Sequence, residues 1–247
     1  MVPSVWVADP TLLDNAQIAA RCWGWLSHEE QARADRYFRS TDRQTYIAAH
    51  ALLRAALSAV TGQTPATLEI SAEPKGRPRL TGPKAVVGHP ASNAGSISLS
   101  HTGGQVGAAV SAGGPIGIDV ERLDRLAADP IDFARRHFHP LEHTALSQRP
   151  GPANAISEQA ITIWCLKEAY AKAIGLGLRL STRETAFICH GDIAKAAQLP
   201  ASAPSHDWQF QHTRLSSGHM LAIAHTGAAP PVVVQDGTRL LTRSAAS

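Results

Sequence analysis

Aromatic residues are scarce in this 247-residue chain, at 5%, and cysteines number only three, Cys22, Cys165 and Cys189. Three is an odd number, and no two of them stand in a C-x-x-C pair. That argues against a disulfide framework and a cysteine zinc site, and it points to a reducing compartment. No apolar run approaches the ~20 residues that span a bilayer. The opening Met1-Val2-Pro3-Ser4-Val5-Trp6 lacks a charged stretch followed by an apolar one, so no secretory signal is expected. The expected location is the cytoplasm, with no membrane partner. Charge of one sign is also missing: 23 Lys and Arg against 20 Asp and Glu leave a net +3. No nucleic-acid partner is expected, because the basic stretch carries neither a binding motif nor interleaved aromatics.

Hydrophobic residues make up 44% and charged residues 17%, which supplies a buried core and excludes wholesale disorder. With few aromatics, that core must be built from Ala, Leu, Ile and Val. The length suits one large domain or two modules of roughly 100–150 residues. Many arginines fall between Arg21 and Arg54. They make either a basic patch for an anionic partner or simply a solvated helix face.

Residues 27–60 read as two helices. Ser27 followed by Glu30 has the pattern of a capping box. In the second helix Ala49, Leu52, Leu53, Ala56, Leu57 and Val60 recur at helical spacing, and Gly62 is placed to end it. A turn-rich segment through Pro74 and Gly76 and a Gly/Pro/Ser-rich loop follow. Strands are expected at 96–100, 106–111 and 115–120, with Gly113-Gly114 as a hairpin turn between the last two. Short helices are expected near 133–138 and 141–147, and a longer one over 156–174, ending at Gly175 and Gly177. Strands at 208–215, 220–225 and 231–235 complete the chain, with a frayed tail from Arg243. Ser98-Leu99-Ser100-His101-Thr102-Gly103 echoes Ala222-Ile223-Ala224-His225-Thr226-Gly227. Together with the repeated order of helices then strands, the echo suggests a pseudo-duplicated α+β chain. Each half would be a small antiparallel sheet packed with helices.

Two segments bear chemistry. In Ile116-Gly117-Ile118-Asp119-Val120-Glu121, strand alternation projects Asp119 and Glu121 to one side, about 7 Å apart at Cα. Gly117 shares that face and is expected to leave open space beside them. Two neighbouring carboxylates repel unless a cation or water offsets them, and a hard divalent ion with oxygen ligands is one such partner. A strand with a polar, solvent-facing side would read the same way. In Trp164-Cys165-Leu166-Lys167-Glu168-Ala169-Tyr170-Ala171-Lys172, helical geometry puts Trp164, Glu168 and Lys172 on one face. Glu168 could join a metal site and Lys172 could grip a phosphate, or the two could form a surface pair worth only ~0.2–0.5 kcal/mol. His137, His139 and His143 form an H-x-H-x₃-H cluster. It lacks a carboxylate or cysteine shell, which counts against zinc.

Taken together, Gly117-Ile118-Asp119 and Trp164-x-x-Lys167-Glu168-Ala169-x-x-Lys172 resemble the paired signature of the 4′-phosphopantetheinyl transferase superfamily. Three further stretches are similar to its longer, Sfp-like subfamily: Ser100-His101-Thr102, Gly76-Arg77-Pro78 with Arg in place of Lys, and the helix from Asp42 through Arg54. Phe138 and Glu142 resemble the F-x-x-x-E stretch ahead of the Lys-Glu helix. The resemblance covers roughly residues 27–180.

It implies a two-half transferase fold, with residues 1–114 contacting coenzyme A and carrier and residues 115–247 holding the metal site. The implied reaction is Mg²⁺-dependent transfer of 4′-phosphopantetheine from coenzyme A to a serine of an apo acyl or peptidyl carrier protein, releasing 3′,5′-ADP. Asp119, Glu121 and Glu168 would hold Mg²⁺, and Glu168 and Lys172 would be catalytic, Glu168 or a metal-bound water taking the serine proton. Ser100, His101, Arg77, Pro78, Arg33, Arg43 and Arg54 would contact the coenzyme. The pseudo-dimer within one chain implies a monomer. A CoA- or carrier-binding regulator without catalysis is the competing expectation.

Overall fold

The computed structural model describes residues 2–72, 78–81, 96–126, 129–177, 181–227 and 231–242. The tail expected to fray from Arg243 lies outside them, as does Arg77. The chain divides into two compact units, Met1–Pro115 with Ala229–Ser247, and Ile116–Ala228. No helix among the described residues is long and apolar enough to cross a membrane.

The first unit begins with β1 (Ser4–Ala8), α1 (Ala16–Trp25) and α2 (His28–Ala34), followed by α3 (Ser40–Thr61). The expected capping box forms at the start of α2: the Glu30 N–H donates to Ser27 Oγ at 3.2 Å and the Ser27 N–H to Glu30 Oε2 at 2.8 Å. Gly62 ends α3 in the left-handed region at φ +73°, which a glycine adopts without the Cβ clash other residues meet. The apolar stripe expected on α3 understates its burial. Residues 45–49 and 51–57 are all buried, so the helix is covered on every side through its middle turns. Alanines at 48, 49, 51, 55 and 56 let it lie close to its neighbours.

Beyond α3 come β2 (Glu69–Ala72), β3 (Pro78–Thr81), β4 (Ser96–Thr102) and β5 (Gln105–Ser111). β2 and β3 pair with each other, and β4 and β5 form a hairpin through Gly103-Gly104, with Gly104 at φ +88°. The main sheet runs β11-β1-β5-β4, where β11 (Val234–Asp236) lies parallel to β1 and the other pairs are antiparallel. The chain's return explains why the residues after 228 belong here and not with the half beginning at 115. The Gly237 N–H donates to Val7 O at 2.7 Å, and α7 (Thr238–Thr242) buries Leu241.

Gly113-Gly114 is not a hairpin turn. β5 already has β1 and β4 as its two neighbours, so no free edge remains for the next strand. That strand, β6 (Ile116–Arg122), opens the second unit and pairs instead with β10 (His219–Thr226). The helices α4 (Pro130–His137), α5 (Pro140–Ser147) and α6 (Ala153–Ala173) precede β7 (Ala186–His190), β8 (Ile193–Gln198) and β9 (Trp208–Arg214). The sheet order is β6-β10-β9-β8-β7, antiparallel throughout.

The two units repeat one plan. The order β1-β5-β4 recurs as β6-β10-β9, and α3 and α6 are the long helices against these strands. The sequence echo misplaces the repeat, for it aligns β4 with β10, which hold different positions. The duplication lives in the topology.

At Gly117 the backbone of β6 lies directly against that of α6. A Cβ added there would lie 2.0 Å from Ala169 O and 2.5 Å from Ala173 N of α6. The expected open space beside the carboxylates is therefore absent, because the α6 backbone fills it. Substitution Gly117→Ala is expected to destabilise by about 3 kcal/mol or more, since backbone atoms cannot yield to a methyl group. Gly103→Ala, which meets no atom within 4 Å, should stay within about 0.5 kcal/mol of the parent. Urea unfolding of both variants checks the contrast, and equal midpoints would contradict it.

Candidate active site

Because the Gly117 side of β6 faces α6, alternation turns Asp119 and Glu121 toward the same helix. Asp119 is buried, and opposite it on β10 stands the small Ala222. From α6, Lys172 reaches across to Asp119, with Nζ 2.7 Å from Oδ1. Glu121 accepts the Arg122 N–H at 2.9 Å and pairs with the Arg125 guanidinium. Glu168, one turn before Lys172, is held toward its protonated form by burial and then by the Asp119 charge, against the opposing pull of Lys172 and Arg125. The strand and helix segments thus meet in one cluster, and the lysine bridges to the strand.

What orients α6 is a pair that the sequence reading left without a role. Lys167 is fully buried and its Nζ lies 2.7 Å from Glu142 Oε2. It also donates to Thr182 O at 2.7 Å, to Thr185 Oγ1 at 3.2 Å and to Thr185 O. Glu142 in turn accepts the Phe187 N–H at 2.8 Å and the His139 N–H at 3.1 Å. Burial raises the Glu142 carboxyl and lowers the Lys167 amine, and each partner's charge pulls the other back. The pair ties α6 to α5 and β7, and so fixes the side of the helix on which Glu168 emerges. A lysine inside a stripe of Leu166, Ala169 and Tyr170 was the available signal. His139, from the histidine cluster, caps α5 by accepting the Leu141 N–H at 3.2 Å. Cys165 sits fully buried, and burial, reinforced by the charges of Asp119 and Glu121, keeps its thiol protonated and unreactive.

The donor set of Asp119, Glu121 and Glu168 is all carboxylate oxygen, which fits a hard divalent cation. Among the described residues no group of three or more His, Cys, Asp or Glu is already arranged to hold an ion. Lys172 and Arg125 stand against two of the carboxylates, offsetting the mutual repulsion of neighbouring like charges.

In the first unit an open groove of ≈ 710 Å³ gathers Arg33, Pro78 and His101 from the predicted coenzyme residues, together with Arg36, Tyr37, Tyr46 and His50. The Arg33 guanidinium lies 5.8 Å from the Tyr46 ring centroid. Arg36 was not anticipated, although its position one turn after Arg33 offers a second cation to the same face. Ser100 alternates to the other side of β4 and is buried, so it does not line this groove. Arg43 also stands apart, with Nη2 2.9 Å from Asp35 Oδ1 and its guanidinium over Trp23.

Arg54 needs correction. It is 1% exposed, and its guanidinium binds Glu30 Oε2 at 2.8 Å, Pro65 O at 3.0 Å and Leu68 O at 2.9 Å. The resemblance implied a coenzyme contact for it, but α3 is buried all round at that turn, and the arginine serves as an internal anchor.

Residues 115–224 match the family model of the 4′-phosphopantetheinyl transferase superfamily, and residues 14–112 match that of 4′-phosphopantetheinyl transferase, N-terminal. The chain belongs to the 4′-phosphopantetheinyl transferase superfamily and is a phosphopantetheinyl transferase enzyme. Among relatives, slr0495 of Synechocystis sp., provisionally named a 4′-phosphopantetheinyl transferase, is 29% identical over 80% of this chain and 73% of its own. The 4′-phosphopantetheinyl transferase HetI of Nostoc sp. is 31% identical over 62% of this chain and 61% of its own. The 4′-phosphopantetheinyl transferase Sfp of Bacillus subtilis is 23% identical over 74% of this chain and 75% of its own.

The Glu30–Arg54 pair yields a test separate from catalysis. Burial alone would raise the Glu30 carboxyl, yet hydrogen bonds from His50 and the Ser27 N–H, and the charges of His50 and Arg54, lower it from 4.5 to about 2. A folded-state value below the unfolded one stabilises fully above pH 4.5, and the gain disappears as pH falls toward 2. The linked contribution is about 3 kcal/mol. Glu30→Gln should therefore flatten the acid limb of a stability-against-pH curve. Arg54→Met, which strands a buried carboxylate, should cost about 3–5 kcal/mol at neutral pH. An acid limb unchanged in Glu30→Gln would contradict this.

Proposed function

We propose that this enzyme transfers the 4′-phosphopantetheine group of coenzyme A to a serine of an apo acyl or peptidyl carrier protein, requires Mg²⁺ and releases 3′,5′-ADP. The observation that carries the proposal is the 2.7 Å contact of Lys172 on α6 with Asp119 on β6, which assembles both halves of the motif into one charged cluster. We assign the chain to the Sfp-like subfamily, acting as a cytoplasmic monomer.

In this reading Asp119, Glu121 and Glu168 hold Mg²⁺, which when bound supplies positive charge to the coenzyme pyrophosphate. Every other role falls to the chain itself. The carrier serine Oγ attacks the phosphorus that bears pantetheine, and the bond from that phosphorus to the bridging oxygen breaks, with 3′,5′-ADP leaving. Lys172 stabilises the charge that grows on the leaving phosphate. Glu168 or a neighbouring water takes the serine proton. Arg33 and His101 grip the coenzyme phosphates, with His101 near the 3′-phosphate, and Pro78 lies along the adenine. Ser100, buried on the other face of β4, and Arg43, paired with Asp35, have no phosphate contact in this reading. It gives Arg54 no role there.

An apo carrier protein incubated with coenzyme A, Mg²⁺ and the enzyme should gain the mass of one phosphopantetheine. EDTA should abolish the gain, and full activity after exhaustive chelation would overturn the metal assignment. Glu168→Ala should weaken Mg²⁺ binding, whereas Lys172→Ala should bind the ion near normally and transfer about 10²–10³-fold more slowly. Wild-type rates in both variants would return these residues to a surface pair.

The groove carries its own expectation. Dephospho-coenzyme A should bind about ten- to a hundredfold more weakly than coenzyme A, the scale of one lost charge-assisted phosphate contact. Equal use of both donors would remove the 3′-phosphate role from His101 and Arg33.

A further inference from the structure

Arg125 stands just beyond the end of β6 and turns back onto it. Its Nη1 pairs with Glu121 Oε2, the arginine side chain 44% exposed and the carboxylate only 13%. Its guanidinium also lies over the Trp164 ring, 5.5 Å from the centroid. Trp164 is one helical turn before Glu168, so one cation touches the strand and the helix of the charged cluster together. The neighbouring Arg122 behaves differently, for its side chain is held by Asp124 through bonds of 2.8 Å and 2.5 Å. Two arginines thus follow Glu121 within four residues, and of these two Arg125 is the one whose side chain pairs with its carboxylate.

We propose that Arg125 is a positioning residue that acts as an internal counter-cation, competing with a divalent cation for Glu121. The inference rests on the reading of Asp119, Glu121 and Glu168 as metal ligands. A guanidinium donating to Glu121 Oε2 and a cation bound to that oxygen repel each other, so ion binding must displace Arg125. Its stacking on Trp164 opposes the displacement. Affinity for the ion is therefore set below what the carboxylates alone would give.

The test is Mn²⁺ binding to the full chain without coenzyme, read as free Mn²⁺ by electron paramagnetic resonance. The proteins are wild type, Arg125→Gln, Arg122→Gln and Asp119→Asn, with thermal melts to confirm folding. Arg125→Gln should bind about two- to fivefold tighter, the scale of one part-exposed ion pair. Arg122→Gln, which removes an equal charge from the same segment, should bind like wild type. Arg125→Gln binding no tighter than wild type overturns the inference while leaving the metal site standing, as does an equal gain in Arg122→Gln. Absence of a site in wild type, or full retention of it in Asp119→Asn, overturns the metal reading and the inference with it.

Discussion

The approach of one backbone to another at Gly117 is the constraint on which the second unit depends. Its hydrogen faces Ala169 O and Ala173 N, where a methyl carbon would come to 2.0 Å and 2.5 Å. The residues immediately before those two contact points are Glu168 and Lys172. Close approach at Ala169 and Ala173 therefore brings Glu168 and Lys172 over the strand, where Asp119 and Glu121 follow Gly117 at two-residue steps. This explains why a glycine in one motif accompanies small residues in the other: the glycine sets a distance and the alanines permit it. Charges on two separate elements become neighbours because two backbones can touch.

Three ion pairs of similar length then behave differently according to their surroundings. Glu142–Lys167 is closed, with side-chain exposures of 3% and 0%, and Glu30–Arg54 nearly so, at 11% and 1%. Each is ringed by backbone and side-chain hydrogen bonds that engage its remaining polar atoms, which leaves little capacity for a ligand. Asp119–Lys172 is shorter of cover, at 11% and 30%. An ammonium that is partly open can shift toward an incoming phosphate, whereas one sealed among carbonyls cannot. Exposure, more than distance, separates the pairs that hold the fold from the pair suited to chemistry.

Much of this was legible in the residues. The capping box at Ser27, the glycine stop at Gly62 and the alternating β4 and β6 rest on local chemistry, and they appear where local chemistry puts them. β1, β7 and β8 escaped notice, because short strands without sustained alternation carry little signal. Sheet order could not be read either, since β5 takes its second neighbour, β1, from a distant part of the chain, and the Gly113-Gly114 turn was misjudged for that reason. Arg54 and Lys167 show a further limit. A basic residue on a helix looks solvent-facing until the helix proves to be buried around its whole circumference, or its head group proves to end on carbonyls from another segment.

The central claim is that β6 and α6 together present a metal-dependent phosphoryl-transfer site. The most direct test is anomalous diffraction at the manganese edge from crystals grown with Mn²⁺ and coenzyme A. A peak is expected about 2.1 Å from carboxylate oxygens of Asp119 and Glu121, the spacing of a hard octahedral ion. A peak bound by other residues, or no peak while Lys172 still holds Asp119 in the presence of coenzyme, would contradict it.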